Sequence, residues 1–318
     1  MNYGCGIVKN SITSFLTLFQ RMSGSMGKKR YFTLTDLLVG SFLLFMCLFF
    51  VYRVKVGLNY NWAWDSIFQF IFRFDEKNNE WVSGILMTGF YTTIRLSFWG
   101  IILATVFGVV SGIAKTSSIL FLRWLATTYV ETMRNLPPLV IIFIAYFFVG
   151  DQILAPLEID EWAETLSPAS QNILSTLFAK PGYLTSFFAA LMTLAIFEGA
   201  YITEIVRAGI ESISRGQWEA SHALGLTWYQ QMRHIILPQT FQRIMPPMAG
   251  QFISLIKDSS IVSVISIQEL CFQGIELMTS TLHTIEIWTV VTLMYLALTL
   301  PCSLLVERLE ARLNLSLG

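Results

Sequence analysis

Apolar residues gather along the chain in long runs separated by short polar stretches. Six runs matter, approximately Leu37 to Val56, Gly84 to Ala114, Leu136 to Gly150, Tyr183 to Val206, Met248 to Ile267 and Ile287 to Val306. A helix needs about 20 apolar residues to cross the hydrocarbon core of a bilayer. The pattern therefore predicts an all-α polytopic membrane protein with about six transmembrane helices. The third run is short and opens on Pro137-Pro138, so it begins near the interfacial zone. The second exceeds one crossing and must tilt or project into water.

The polar segments between the runs differ in charge. Arg21, Lys28, Lys29 and Arg30 precede the first run, and Lys115, Arg123 and Arg134 separate the second from the third. Arg207, Arg215, Arg233 and Arg243 separate the fourth from the fifth, and Arg308 and Arg312 follow the sixth. Of the alternate segments the first is mixed, with Arg53, Lys55, Arg73 and Lys77, and the other two are poorer in cations. Residues 151–182 hold Asp151, Glu158, Asp160, Glu161 and Glu164 against Lys180, and residues 268–286 hold no Lys or Arg. Basic segments stay on the cytoplasmic side, which places both termini there. Trp62, Trp64 and Trp81 flank the first outer loop and suit an interfacial aromatic belt.

Composition removes the competing classes. Of 318 residues, 54% are hydrophobic and 13% charged, too few charges to cover a soluble globule and too much apolar surface for a disordered chain. Lys plus Arg and Asp plus Glu both total 21, so no basic excess is available to neutralise nucleic-acid phosphates. Cys5, Cys47, Cys271 and Cys302 are scattered without metal-ligand spacing, as are His222, His234 and His283.

Three local patterns stand out. Gly100, Ala104, Gly108 and Gly112 recur at a spacing of four, which puts small residues on one helix face and reads as a packing seam. Glu131 to Pro138 reads as a loop-to-helix boundary or as a hinge, a cytoplasmic elbow. Between the fourth and fifth runs, Gln217 to Leu224 forms a short polar helix, Gly225 turns the chain, and Trp228 to Leu237 forms a second helix closed by Pro238. Two short helices and a turn make a knob, a natural contact for a soluble partner.

That segment resembles the "EAA" loop of the permease subunits of binding-protein-dependent ABC importers, through Glu219-Ala220-Ser221, Gly225, Ile235 and Leu237-Pro238. Ser221 stands where the family commonly has Ala. Residues 198–210, 255–260 and the Glu131 to Pro138 stretch are similar to further motifs of the polar amino acid branch. The resemblance covers residues 84–312 and implies a type I importer permease core, with the coupling loop at 215–238. Residues 1–36 then read as a cytoplasmic arm, 37–56 as an added span and 57–83 as a periplasmic loop.

The resemblance implies a bacterial inner-membrane pathway subunit. Its partners would be a cytoplasmic ABC ATPase dimer, a second permease subunit (the same chain or a relative), a periplasmic or surface solute-binding protein and an amino acid substrate, in a shell of membrane lipids. The loop residues Glu219, Ala220, Ser221, Gly225, Leu237 and Pro238 would dock on the ATPase. Glu219 would offer a charge-assisted contact, Ala220 and Ser221 close approach, and Gly225 the knob's shape. The chain carries no phosphate-binding G-x-x-x-x-G-K-[ST] loop, so it is not expected to bind ATP in the usual way. The resemblance implies a transport subunit and not an enzyme, with no cofactor on this chain and ATP with Mg on the partner subunits.

Charges inside the runs need an explanation, because a charge at the bilayer centre costs about 2.5–3.5 kcal/mol on insertion scales. Glu204, Arg207 and Glu211 can pair along one helix face. Glu198, Tyr201, Lys257, Asp258, Ser259 and Ser260 either border a solute route or fix helix packing. An ion-gradient secondary transporter, or a scaffold recruiting a cytoplasmic protein, are the other functions such a chain could serve.

Overall fold

Inside hydrocarbon the backbone must satisfy its own N–H and C=O groups, so each apolar run beyond residue 83 folds as a helix. The computed structural model describes residues 34–57, 62–76 and 79–316. Most of the expected N-terminal arm lies outside the described residues. Helix α1, Leu34–Gly57, stands as a unit apart from residues 62–318. It carries the apolar stretch Leu37–Phe49, shorter than the other candidate spans.

The second unit opens with α2 (Trp64–Ile71) and a two-stranded antiparallel hairpin, β1 (Phe72–Asp75) and β2 (Glu80–Ser83). The all-α expectation did not foresee this hairpin, whose four-residue strands are too short to register in an apolar profile. Then follow α3 (Ile85–Lys115), α4 (Leu120–Asn135), α5 (Pro138–Phe147), α6 (Ile159–Glu164), α7 (Pro168–Leu177) and α8 (Leu184–Glu211). The chain ends with α9 (Arg215–Ala223), α10 (Trp228–Gln231), α11 (Leu237–Asp258), α12 (Leu270–Thr281) and α13 (Thr284–Ser316). Among the described residues, five helical stretches are long and apolar enough to cross a membrane: Ile85–Lys115, Pro138–Leu157, Leu184–Glu211, Trp228–Ile265 and Thr284–Arg308.

Prolines explain where these spans differ from expectation. Pro137 and Pro138 separate α4 from α5, as proline disfavours a helical residue before it. The break is not a cytoplasmic elbow. Tyr129 of α4 already hydrogen-bonds the carbonyl of Ile196 midway along α8, and Ile142 of α5 packs with Leu96, Phe187 and Leu191. The bend therefore lies within the depth of the spans. Past Phe147 the helix widens into a π-turn, Phe148–Leu154, which lengthens the third span beyond the expected Gly150.

Pro238 likewise does not close a helix. A π-turn, Met232–Ile236, joins α10 to α11, so the chain passes through Pro238 without stopping. Proline lacks an N–H and crowds the carbonyl four residues back, and a widened turn relieves both. The fifth span thus starts at Trp228, twenty residues before the expected Met248.

Helix α8 is the most enclosed element, and α3 packs along it in parallel. Gly108 lies against Ile202 and Gly199, Gly112 against Val206 and Thr203, and Gly100 against Leu194 and Leu255. The small-residue stripe is therefore the packing seam that its spacing predicts. Around it, Ala104, Leu194, Ile202, Val206, Ile236 and Leu255 form one buried cluster.

Arg95 resolves its own cost by donating from Nη1 to the carbonyls of Ser175 (2.6 Å) and Phe178 (2.8 Å), which ties the end of α7 to α3. Asp160 of α6 accepts from the backbone N–H groups of Gly182 (2.9 Å), Leu184 (2.8 Å) and Thr185 (3.1 Å), so a remote carboxylate caps the first turn of α8. Burial pushes the Asp160 carboxyl up, but these bonds and one from the Thr185 side chain outweigh it and hold it below the usual carboxylate range.

Two outcomes follow. A Cβ at Gly108 would sit 2.3 Å from Cγ2 of Ile202, so Gly108→Ala should cost about 1–3 kcal/mol through overpacking. Adding Ile202→Ala should not rescue it, because the Cβ that alanine keeps lies 2.5 Å from the new methyl; both variants are read by thermal unfolding in detergent. Asp160→Ala should speed amide exchange at Gly182, Leu184 and Thr185 for a loss of about 1 kcal/mol, as for other helix caps. Because the folded carboxyl titrates low, this support is complete above about pH 4, the ordinary aspartate pKa, and fades as pH falls through the folded value. Acid should therefore loosen the wild type in the same place and leave the Asp160→Ala protein unchanged there.

Candidate functional site

Two constellations carry chemistry: a polar cluster among the spans and the knob between α8 and α11.

The cluster centres on Glu198, fully buried in the middle of α8. The amide Nε2 of Gln251 on α11 donates to its Oε2, while Oε1 has no hydrogen-bond partner among the described residues. Asp258 lies within interaction range of both Glu198 and Tyr201. The guanidinium of Arg134, at the end of α4, stands 5.8 Å from the centroid of the Tyr201 ring, within cation–π range.

The helical bends make this meeting possible. The break at Pro137 ends α4 at the level where Arg134 can reach Tyr201, and α11 gives way to a 3₁₀ turn, Ser259–Ile265, directly after Asp258. Four of the expected route residues fare differently from Glu198 and Tyr201. Asp258 is half-buried and joins them. Lys257, one step round the helix, is exposed and makes no ion pair with a described residue. Ser259 is buried with its Oγ turned back onto the carbonyl of Ile256 (2.8 Å), and Ser260 is half-buried.

Sequence reasoning missed Arg134 and Gln251 as members. Gln251 and Asp258 are seven residues apart and so share a helix face, a spacing that marks the pair in retrospect. Near the knob, Glu204 bonds Lys115 of α3 as well as Arg207, and Arg207 also bonds Glu211. The expected pairing along α8 is thus present and extended to a neighbouring helix. These charges are structural.

The knob caps itself. Helix α9 ends at Ala223, and Gly225 takes φ +74°, the left-handed conformation that glycine adopts without a Cβ clash. The N–H of Leu226 then reaches the carbonyl of Ser221 (3.3 Å) and that of Gly225 the carbonyl of His222 (2.9 Å). Thr227 opens α10 with a capping box. Its Oγ1 accepts from the N–H of Gln230 (3.4 Å), and its own N–H donates to Oε1 of Gln230 (2.9 Å). Nε2 of Gln231 closes the turn on the carbonyl of Leu226 (2.9 Å). Glu219 and Ala220 are exposed, and Leu224 is 75% exposed.

Ser221 points the other way. It is buried and its Oγ donates to the carbonyl of Trp218 (2.8 Å), so it packs the knob and is not placed for close approach to a partner. Leu237 is half-buried against the main cluster, and Pro238 is exposed on the continuing helix. Arg243 of α11 bonds the carbonyl and hydroxyl of Ser212, fastening the base of the knob.

A helical bundle with a self-capped, exposed knob between two spans is the arrangement of an ABC importer permease. Residues 104–315 match the family "Binding-protein-dependent transport system inner membrane component", and the chain belongs to it. The probable glutamine ABC transporter permease GlnM of Bacillus subtilis is 36% identical over 72% of this chain and 94% of its own length. The glutamine transport system permease GlnP of Escherichia coli is 32% identical over 73% and 94%. The glutamate/aspartate import permease GltJ of E. coli is 33% identical over 73% and 88%. Among solved structures, an amino acid ABC transporter crystallised with histidines superposes with a TM-score of 0.59 at 26% identity, covering 80% of this chain and all of that one. The MetNI methionine transporter shares the fold, with a TM-score of 0.51 at 16% identity over 72% and 94%.

Proposed function

We propose that this permease carries a polar amino acid across the bacterial inner membrane and takes its energy from a cytoplasmic ABC ATPase dimer gripping the knob at 215–238. The observation that carries this reading is the self-capped turn at Gly225 with Glu219 and Ala220 left exposed beside it. Glu219 supplies a charge-assisted contact to a basic group on the ATPase. Gly225 sets the shape of the contact, and Leu237 and Pro238 carry it into the fifth span. ATP and Mg are held by the ATPase. A second permease subunit completes the pathway, and an external solute-binding protein delivers cargo to it.

The basic segments then face the cytoplasm, with both termini there, and α1 is an added span ahead of the shared core. The polar amino acid class is supported by the glutamine and glutamate/aspartate permeases among the relatives. It is supported too by the chemistry of the cluster. An amino acid bears an ammonium and a carboxylate. Glu198 and Asp258 suit the first and Arg134 the second, with Tyr201 between them. Lys257 is left outside this grouping, and Ser259 supports it through the backbone.

Two experiments bear on the proposal. Glu219→Ala and Gly225→Leu should leave the protein inserted and abundant but reduce solute-stimulated ATP hydrolysis of the assembled complex about tenfold or more, as expected when a central charged contact worth about 2 kcal/mol is lost. Full stimulation in both variants would refute the docking role. Glu198→Gln keeps a hydrogen-bonding partner for Gln251 and removes the ionisable carboxyl group. Uptake in proteoliposomes should fall, with the melting temperature held. Unchanged uptake and unchanged substrate preference would assign Glu198 to helix packing.

A further inference from the structure

Residues 62–83 precede the family match and have no part in the cluster or the knob, yet they are sharply patterned. The hairpin pairs Phe72 with Ser83, Arg73 with Val82, Phe74 with Trp81 and Asp75 with Glu80. Side chains alternate across a strand, so Phe72, Phe74, Trp81 and Ser83 share one face, and Arg73, Asp75, Glu80 and Val82 the other. The aromatic face carries no charge and is solvent-accessible, with Trp81 63% and Phe74 44% exposed.

Phe68 of α2 extends that face. Its ring lies 6.0 Å from Trp81 edge-on and 6.4 Å from Phe72, and Phe74 lies 5.4 Å from Trp81. These four rings form one prearranged apolar blade. The opposite side of α2 is anchored: Ile67 is buried, and Phe70 and Ile71 pack on the cluster of Leu86, Leu270, Ile287 and Val291. The N–H of Gly84 donates to the carbonyl of Ile71 (2.8 Å), and that of Ala63 to Oε1 of Glu286 (2.9 Å).

We propose that this blade is an interfacial membrane anchor, seated in the headgroup–acyl boundary of the leaflet at the end of the bundle opposite the knob. Position decides the occupant. Strand β2 ends at Ser83, and the span α3 begins at Ile85, so the hairpin is held at the outer end of that span. The span that follows the hairpin is itself apolar on its outer surface, with Phe98, Ile102 and Val106 exposed. Trp and Phe beside a charged back face is the composition that favours a bilayer interface. An exposed apolar patch with a polar rim needs a cover, and lipid is the cover already present at that level.

The test uses the full chain in the assembled transporter, reconstituted in phosphatidylethanolamine–phosphatidylglycerol vesicles, with Cys5, Cys47, Cys271 and Cys302 replaced by Ser. Nitroxide labels are placed through Trp81→Cys on the aromatic face and Glu80→Cys on the polar face. Accessibility to oxygen, which concentrates in lipid, is compared with accessibility to a water-soluble nickel chelate. The label at 81 should show an oxygen-to-nickel ratio several-fold above that at 80. Phe74→Cys is a second reporter on the same face should Trp81→Cys fail to assemble, and must behave as position 81 does. Equal ratios at the two faces would overturn the proposal. So would a label at 81 that is open to nickel in the vesicle and becomes shielded only when a solute-binding protein is added, which would make the blade a protein-docking face.

Discussion

Close approach of α3 to α8 through Gly100, Ala104, Gly108 and Gly112 is the contact on which the rest of the bundle depends. Lipid tails are as apolar as Leu or Ile, so burial of apolar side chains gives two spans little reason to associate. What remains is van der Waals contact, which requires backbones near enough to interlock, and hydrogen bonding. The glycines supply the first, and Ile202 and Val206 fill the space that they leave. Because α3 and α8 are locked in parallel, the chain must cross back between them, which α4 and α5 do. The bend at Pro137 then brings Arg134 to α8 at the height of its buried carboxylate.

The same seam fixes the electrostatics. With α8 enclosed by α3 on one side and α11 on another, Glu198 has no route to water along its own helix and relies on Gln251 for a donor. Its second oxygen is left without a partner among the described residues. A buried carboxyl group with spare accepting capacity is costly to keep in a membrane. Lower on α8, the charges of Glu204, Arg207, Glu211 and Lys115 neutralise one another. Two groups of ionisable residues on one helix therefore do different work, and the difference is in their partners.

Much of this was legible in the amino-acid order. Long apolar runs located the five major spans, the four-residue period located the seam, and the glycine after a polar helix located the turn of the knob. What escaped notice depended on proline and on partners distant in sequence. Pro238 reads as a stop from local rules, yet a π-turn carries the helix through it, since a helix can widen by one residue and keep its neighbours. Pro137 reads either as a helix boundary or as a cytoplasmic elbow; the boundary is there, and only the contacts of Tyr129 and Ile142 set its depth. Ser221 follows the exposed Glu219 and Ala220 in sequence but turns inward, because α9 must bury one face to stand on the bundle. Gln251 and Arg134 could not be assigned without knowing which helices meet.

The unbroken passage from Trp228 to Ile265 has a mechanical meaning. At 1.5 Å per residue, 38 residues make a rod of about 57 Å, reaching from the knob to beyond Asp258. Displacement of its lower end is delivered along a strut, with no slack loop to absorb it. The strut has one soft joint, at Pro246-Pro247, where two backbone donors are missing from the helix. That pair lies between Trp228 and Gln251, so a bend there would redirect the arm that carries Gln251 and Asp258 relative to α8. The second helix of the knob, the proline pair and the polar residues Gln251 and Asp258 are thus one continuous piece of polypeptide.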